Sequence, residues 1–343
     1  MIKKWILHPV KRRIAKYYLV LLRRFFGLKV IGITGSCGKT TTKEMLASIL
    51  KLKAKTVWTH ANIDPVYNIP TTILKCTPQT KYLVLEMGVE YPGEMDFYLW
   101  LAKPDIGLVT NVYPTHTEFL KDVTGVAAEK GKLIRRLGVT GVAVLNSANK
   151  FSRQMATITK AKVVWFESGK DPVKENANAA AAVAKVLQIP EKIIQKGLAT
   201  YVKPESRFEI IRLKSGAAVF NDSYNSNPAA FLAALPMFLK IAKGKEKIGV
   251  FGDMLELGNL EEPEHRRIGR AVGKAGFKAV FGVGKAIKFS LEEIRKASPA
   301  TKIYFFEKYE DVLRLIRPHL TKNACVFVKG SHAIGLAKLV YNL

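Results

Sequence analysis

Apolar runs alternating with helical patterns of apolar and polar positions set the expected architecture. From Leu28 onward the chain reads as strand 29–34, helix 39–51, strand 82–86, strand 106–110, a helix around 123–136 and strand 141–145. The alanine-rich run Asn176–Leu187 predicts another helix, and Tyr201–Arg207 reads as a linker. Beyond it come strands at 217–221, 247–251, 279–283, 302–306 and 324–328, with helices near 228–242, 263–275, 285–297, 308–317 and 333–341. Strands that alternate with helices in this way predict parallel sheets covered by helices, with ligands at the carboxyl ends of the strands. The second series has its own apolar strands, so two α/β domains are expected, 29–204 and 205–343, after an N-terminal segment 1–28.

Segment 1–28 sets Trp5, Ile6, Ile14, Tyr17, Tyr18, Leu21, Leu22, Phe25 and Phe26 among Lys3, Lys4, Lys11, Arg12, Arg13, Lys16, Arg23 and Arg24. It predicts a basic amphipathic helix. Its longest uncharged run, Tyr17–Leu22, is far shorter than the roughly 20 residues a spanning helix needs. Two readings stay open: the helix packs on the next domain and buries Tyr17, Leu21 and Phe25, or it lies on an anionic membrane surface.

Composition narrows the class. With 343 residues and 48% hydrophobic content the chain can bury substantial cores. Cys37, Cys76 and Cys325 are far apart and form no C-x-x-C pair, which excludes a disulfide framework and a cysteine zinc site and fits a cytoplasmic address. The net charge is +27, and the first 43 residues hold 11 Lys or Arg with no Asp or Glu before Glu44. Polyanionic partners fit that balance: nucleotide phosphates, acidic precursors or anionic lipid. No RRM, zinc-finger or helix-turn-helix pattern supports a specific nucleic-acid partner.

Residues 30–46, Val-Ile-Gly-Ile-Thr-Gly-Ser-Cys-Gly-Lys-Thr-Thr-Thr-Lys-Glu-Met-Leu, place a glycine-rich turn between a buried strand and an opening helix. Such a turn is a phosphate-binding loop (P-loop), because glycines let backbone N–H groups point at phosphate oxygens. Gly35, Ser36, Gly38, Lys39, Thr40 and Thr41 are its expected nucleotide contacts, with Lys39 on the terminal phosphates and the Thr40 hydroxyl on Mg²⁺. The strict pattern asks for glycine at 33, where Ile33 stands. Tyr82–Glu86 ends a strand in a carboxylate that can reach the same Mg²⁺. Thr110–His116 ends another in an imidazole, and Lys130 follows on a helix. The expected fold is therefore a P-loop central domain with a mostly parallel sheet, followed by a C-terminal Rossmann-like α/β domain.

These residues in this order, with Asp222-Ser-Tyr-Asn-Ser-Asn-Pro228, Gly252-Asp-Met-Leu-Glu-Leu-Gly258 and Lys329-Gly-Ser331, resemble the Mur ligases. Members of that family use ATP to add amino acids to the cell-wall precursor peptide. The resemblance is nearest to the MurF branch, which joins D-alanyl-D-alanine to a UDP-N-acetylmuramoyl tripeptide. It implies amide formation through an acyl phosphate, two Mg²⁺ sites, and a cytoplasmic, monomeric enzyme whose partners are a cell-wall precursor and an amino acid or dipeptide.

Residue by residue, the resemblance puts Lys39, Lys130, His116 and Arg207 in catalysis, and Thr40, Glu86, His116 and a carbamylated Lys130 around metal. Asn176, Arg207, Asp222 and Tyr224 join the P-loop in holding ATP, and Asn225, Lys329 and Ser331 position substrate. Several positions depart from the family. Only 28 residues precede the first strand, where the family carries a UDP-sugar-binding domain of about a hundred residues. Asn146-Ser-Ala-Asn149 replaces an asparagine with paired aspartates, His332 stands where arginine is common, and Lys132 replaces an acid. A working ligase is the expectation, with a non-catalytic Mur-like binding protein, or a ligase for an acceptor without UDP, as the alternatives.

Overall fold

The computed structural model describes residues 8–60, 64–169 and 171–343. Trp5, Ile6, Lys3 and Lys4 of the basic segment lie outside the described residues. Contacts divide the chain into two compact units: residues up to Tyr113 with Asp122–Pro204, and Pro114–Lys121 with Glu205–Leu343.

The first unit opens with α1 (His8–Phe26), β1 (Lys29–Thr34), α2 (Lys39–Lys51), β2 (Thr56–Trp58), α3 (Pro65–Ile73) and β3 (Tyr82–Glu86). It continues through α4 (Glu94–Leu101) and β4 (Ile106–Val109); the short α5 (Thr117–Leu120) groups with the second unit. Then come α6 (Val123–Arg135), β5 (Val142–Asn146), α7 (Lys150–Met155), β6 (Lys162–Phe166), α8 (Pro172–Val186) and α9 (Glu191–Ala199). All six strands are parallel, in the order β2-β3-β1-β4-β5-β6. Ile31, Ile33, Val84, Leu108 and Val144 meet α2, α8 and α9 on one face. Alanines 179, 180 and 184 let α8 pack closely there, and they are fully buried.

β1 runs through Thr34, so position 33 is still strand and Ile33 is a core residue rather than the first residue of the turn. The glycine sits one place earlier, where a Cβ on Gly32 would come within 2.7 Å of Pro104. Helix α8 begins at Pro172, capped by Asp171. Asn176 is therefore inside the helix and not its cap.

α1 packs on its unit through Ala15, Leu19 and Leu22, which are buried. Tyr18 donates to the Cys76 carbonyl at 2.8 Å, Lys11 to Thr71 Oγ1 at 2.9 Å, and Arg23 pairs with Asp105 at 2.7 Å. The expectation that packing would bury Tyr17, Leu21 and Phe25 is wrong: the helix turns its other face inward and all three are exposed.

The second unit comprises β7 (Glu209–Arg212), β8 (Ala218–Asn221), α10 (Pro228–Ile241), β9 (Glu246–Gly252), α11 (Glu261–Gly273) and β10 (Ala279–Val283). It ends with α12 (Ile287–Ala297), β11 (Lys302–Phe306), α13 (Val312–Ile316), β12 (Ala324–Lys329) and α14 (Leu336–Tyr341). The order is β11-β10-β9-β12-β8-β7, parallel except for the edge strand β7. One face carries a cluster of phenylalanines with α10 and α11, and the other packs Val219, Ile248, Val250, Val326 and Val328 against α13 and α14.

Phe327 is fully buried, with ring centroids 5.1–5.5 Å from Phe220, Phe231, Phe238 and Phe251. Phe327→Ala is expected to destabilise the second unit by about 3–5 kcal/mol. Urea unfolding followed by far-UV circular dichroism checks this, and a loss below about 1 kcal/mol would mean that the cluster repacks around the gap.

Candidate active site

β1 lies between β3 and β4, with Ile33 opposite Glu86 and Thr34 opposite Val109. The loops after these three strands are therefore neighbours at one edge of the sheet. After β1 the backbone turns through Gly35 (φ 148°) and Gly38 (φ 80°), the latter the N-cap of α2. Both are wedged: a Cβ on Gly35 would lie 1.9 Å from Thr110 Oγ1, and one on Gly38 would lie 2.1 Å from Asn176 Oδ1. Side chains from elsewhere shape the turn. Cys37 N–H donates to Asn111 Oδ1 at 2.8 Å, Thr110 Oγ1 donates to the Cys37 carbonyl at 2.6 Å, and Ser36 Oγ bonds both N–H and carbonyl of Tyr113. Asn111 and Asn146 both donate to Glu175, which ties the loop to α8. Thr41 is buried in the first turn of α2. The helix start offers its N-terminal N–H groups and the positive end of its dipole to an anion.

Lys39 Nζ donates to the Gly35 carbonyl at 2.8 Å, so its ammonium lies over the loop. Thr40 Oγ1 donates to Glu86 Oε1 at 2.9 Å, which brings the two expected metal ligands together. Behind them Lys43, fully buried, lies 3.4 Å from Glu86 Oε2 and 3.1 Å from Glu44. Two hard oxygens, one of them anionic, fit Mg²⁺. Lys130 projects from α6 and is 1% exposed; burial, and secondarily the Lys39 charge, holds its pKa well below the ordinary lysine value. Lys132, the departure from an acid, pairs with Asp96 at 2.6 Å and Glu129 at 2.7 Å. Glu129 in turn accepts from the N–H groups of Gly93 and Met95, so the swap serves the packing of α4 on α6.

The second unit repeats the arrangement in another sheet, with β12 between β9 and β8. Lys329 ends β12 opposite Phe251, and Val328 stands opposite Asn221, so the loops carrying Asp222, Asp253 and Ser331 share an edge. Lys329 Nζ, 1% exposed, bonds Asp222 Oδ2 at 2.6 Å and the carbonyls of Asp222 and Asn225 at 3.3 and 3.1 Å. Its ammonium is thus directed at the Asp222–Asn225 turn rather than outward to a substrate. Ser331 Oγ accepts from Leu255 N–H at 2.9 Å, and Asn225 is exposed. Arg207 stacks 4.0 Å from the centroid of Tyr224, whose other neighbour is His332 at 5.5 Å.

His116 belongs to this unit through segment 114–121. Its Nδ1 lies 2.5 Å from Glu256 Oε2, and both residues hold left-handed backbone, φ 55° and 64°. Glu118 N–H donates to the Glu256 carbonyl and Thr117 Oγ1 to that of Leu257, which stitches the segment to the Gly252–Gly258 loop. With Nδ1 engaged, Nε2 is the ring nitrogen suited to a metal. Glu256, Thr110 and Asn111 were not singled out from sequence. The signal was present in the Gly-Asp-Met-Leu-Glu run and in the Thr-Asn pair that follows β4.

The family description Mur ligase middle domain matches residues 33–196, and Mur ligase, glutamate ligase domain matches 206–332. The chain is 31% identical to the UDP-N-acetylmuramoyl-tripeptide--D-alanyl-D-alanine ligase of Buchnera aphidicola subsp. Baizongia pistaciae over 92% of its own length and 75% of that protein. It is 30% identical to the ligase of that name from Bacillus subtilis, over 97% of this chain and 78% of the relative. Among solved structures, MurF from Acinetobacter baumannii superposes with a TM-score of 0.86 at 25% identity, covering 98% of this chain and 80% of that one. The fold is shared too with MurF from Thermotoga maritima, solved in complex with ADP, at a TM-score of 0.82 and 23% identity over 95% and 82% of the two chains. With both family domains matched in order and this identity sustained along the chain, the protein belongs to the Mur ligase family.

Proposed function

We propose that this protein is a cytoplasmic, ATP-dependent ligase that joins D-alanyl-D-alanine to the terminal carboxylate of a muramoyl tripeptide precursor. The pairing of Thr40 with Glu86 beneath a P-loop carries the reading, because a nucleotide-binding turn with a metal-ready carboxylate is what phosphoryl transfer needs. The names of the MurF relatives support the two substrates.

In the first step a carboxylate oxygen of the acceptor attacks the γ-phosphorus, the bond to the β-phosphate oxygen breaks, and ADP leaves. The start of α2 holds the phosphates, and Lys39 moves its ammonium from the Gly35 carbonyl onto the transferring group. Mg²⁺, when held by Thr40 and Glu86, neutralises phosphate charge. In the second step the dipeptide amine attacks the acyl carbon, inorganic phosphate leaves, and the amine gives up a proton. Arg207 and Tyr224 would meet the nucleotide phosphates, and Asn225 and Ser331 the incoming dipeptide. Asp222 would accept from the ribose, held in place by Lys329. Asn176 would reach the nucleotide from α8, where it also backs the loop.

In the first unit Lys130, as a carbamate, would serve a second metal; in the second unit His116, oriented by Glu256, offers an imidazole suited to a metal. Burial supports the carbamate, since lowering the lysine pKa favours the neutral amine, whose lone pair attacks CO₂ with release of a proton. The product carries anionic oxygens that suit a hard metal ion.

ADP release by the purified protein, with D-alanyl-D-alanine against a panel of carboxylate acceptors, tests the proposal; activity requiring both substrates is expected. Lys39→Ala and Glu86→Gln should each lower it at least about a hundredfold, the loss of about 3 kcal/mol of transition-state stabilisation. Glutamine keeps an acceptor for Thr40, and Lys43 keeps its ion pair with Glu44 at 3.1 Å, so the far-UV circular dichroism spectrum should stay native. Near-native turnover by either variant would contradict the assignment.

Lys130→Ala should also abolish turnover, with partial rescue by a small carboxylate at high concentration. ¹³C-bicarbonate should give a carbamate carbon resonance in the native enzyme and none in the variant. A spectrum without that resonance in the active, nucleotide-bound enzyme would leave Lys130 a plain amine.

A further inference from the structure

We propose that the outward face of α1 is a docking surface for an anionic lipid bilayer, on which the helix lies flat. Val10, Ile14, Tyr17, Leu21 and Phe25 follow one another at steps of four, three, four and four, and each is 45–69% exposed. At about 100° per residue they fall within a stripe roughly 80° wide. The buried Ala15, Leu19 and Leu22 lie about 100–160° round the helix from the centre of the stripe, and the bonds of Lys11, Tyr18 and Arg23 to their own unit fix that orientation. The stripe is therefore not a packing face left over from the core. It is a second apolar face, directed at solvent.

Charge decides the occupant. Arg13 and Arg24 are exposed beside the stripe, and Arg12 and Lys16 lie over the rings of Phe97 and Trp100 at 4.8 and 4.3 Å. Trp100 is itself 45% exposed, and α1 contains no acid. A second copy of a chain with net charge +27 would bring like charges against these arginines. An anionic bilayer offers headgroups to the basic residues and an acyl boundary to Ile14, Tyr17, Leu21 and Phe25. At 19 residues α1 spans about 28 Å, but its six Lys and Arg rule out a buried crossing, and no described helix is long and apolar enough to cross a membrane. None of these side chains takes part in the ligase chemistry, so the two proposals stand or fall separately.

The full-length protein should cosediment with phosphatidylcholine vesicles containing about a quarter phosphatidylglycerol, bind pure phosphatidylcholine at least about tenfold less, and be released by salt. The variant Tyr17→Ser, Leu21→Ser, Phe25→Ser keeps the charge. It should lose partitioning at least about tenfold while circular dichroism and soluble ADP release stay at the native level. Absence of binding by the intact protein, or equal binding by the triple variant, would overturn the proposal. So would a homodimer in sedimentation velocity that the triple variant abolishes, since the stripe would then belong to a second copy.

Discussion

The start of α2 must present backbone N–H groups to phosphate while the turn before it stays in a left-handed conformation, and much of the first unit is organised around that requirement. Gly35 and Gly38 have space for no Cβ, because Thr110 and Asn176 fill it. Asn111 and Tyr113 hold the backbone of Cys37 and Ser36, and Glu175 holds Asn111. Strands β1 and β4 and helix α8 thus converge on one short turn. A loop fixed this way needs little reorganisation when it meets a nucleotide, which is the condition under which fixed dipoles are most effective.

Buried charge pairs extend that logic to the flanking groups. Lys43 pairs with Glu86 below the loop, and Lys329 anchors Asp222 in the second unit. Such pairs cost desolvation and hold geometry rather than add stability, so their presence at strand ends marks positions where direction matters. His116 and Glu256 form a half-exposed hydrogen-bonded pair, with left-handed backbone at both residues. Each unit solves its own positioning problem at the carboxyl edge of its own sheet.

Long apolar strands and periodic helices were legible in the sequence because burial on both faces leaves an unbroken signal: strands 29–34, 82–86 and 279–283 agree with the structure at both ends, as does the apolar edge strand 302–306. Short or proline-broken pieces were not. β2 has three residues, and α3 starts at Pro65 and contains Pro70, so neither carries a period. The P-loop was readable despite Ile33 because the strand simply continues one residue before the turn. Its supports were hidden, since Asn111 lies 74 residues from Cys37 and Glu256 lies 140 from His116, and no local pattern links them. α1 misled for another reason: a helix with two apolar faces looks from sequence like one with a single face to bury, and only packing distinguishes Leu19 from Tyr17.

The fate of an acceptor oxygen tests the central claim most directly. With the acceptor carboxylate labelled by ¹⁸O, attack on the γ-phosphorus and later displacement by the dipeptide amine must carry one of those oxygens into inorganic phosphate. Mass spectrometry should find the label in phosphate, formed together with ADP and the new amide. Unlabelled phosphate accompanying amide formation, or AMP and pyrophosphate as products, would contradict an acyl-phosphate ligase built on Lys39, Thr40 and Glu86.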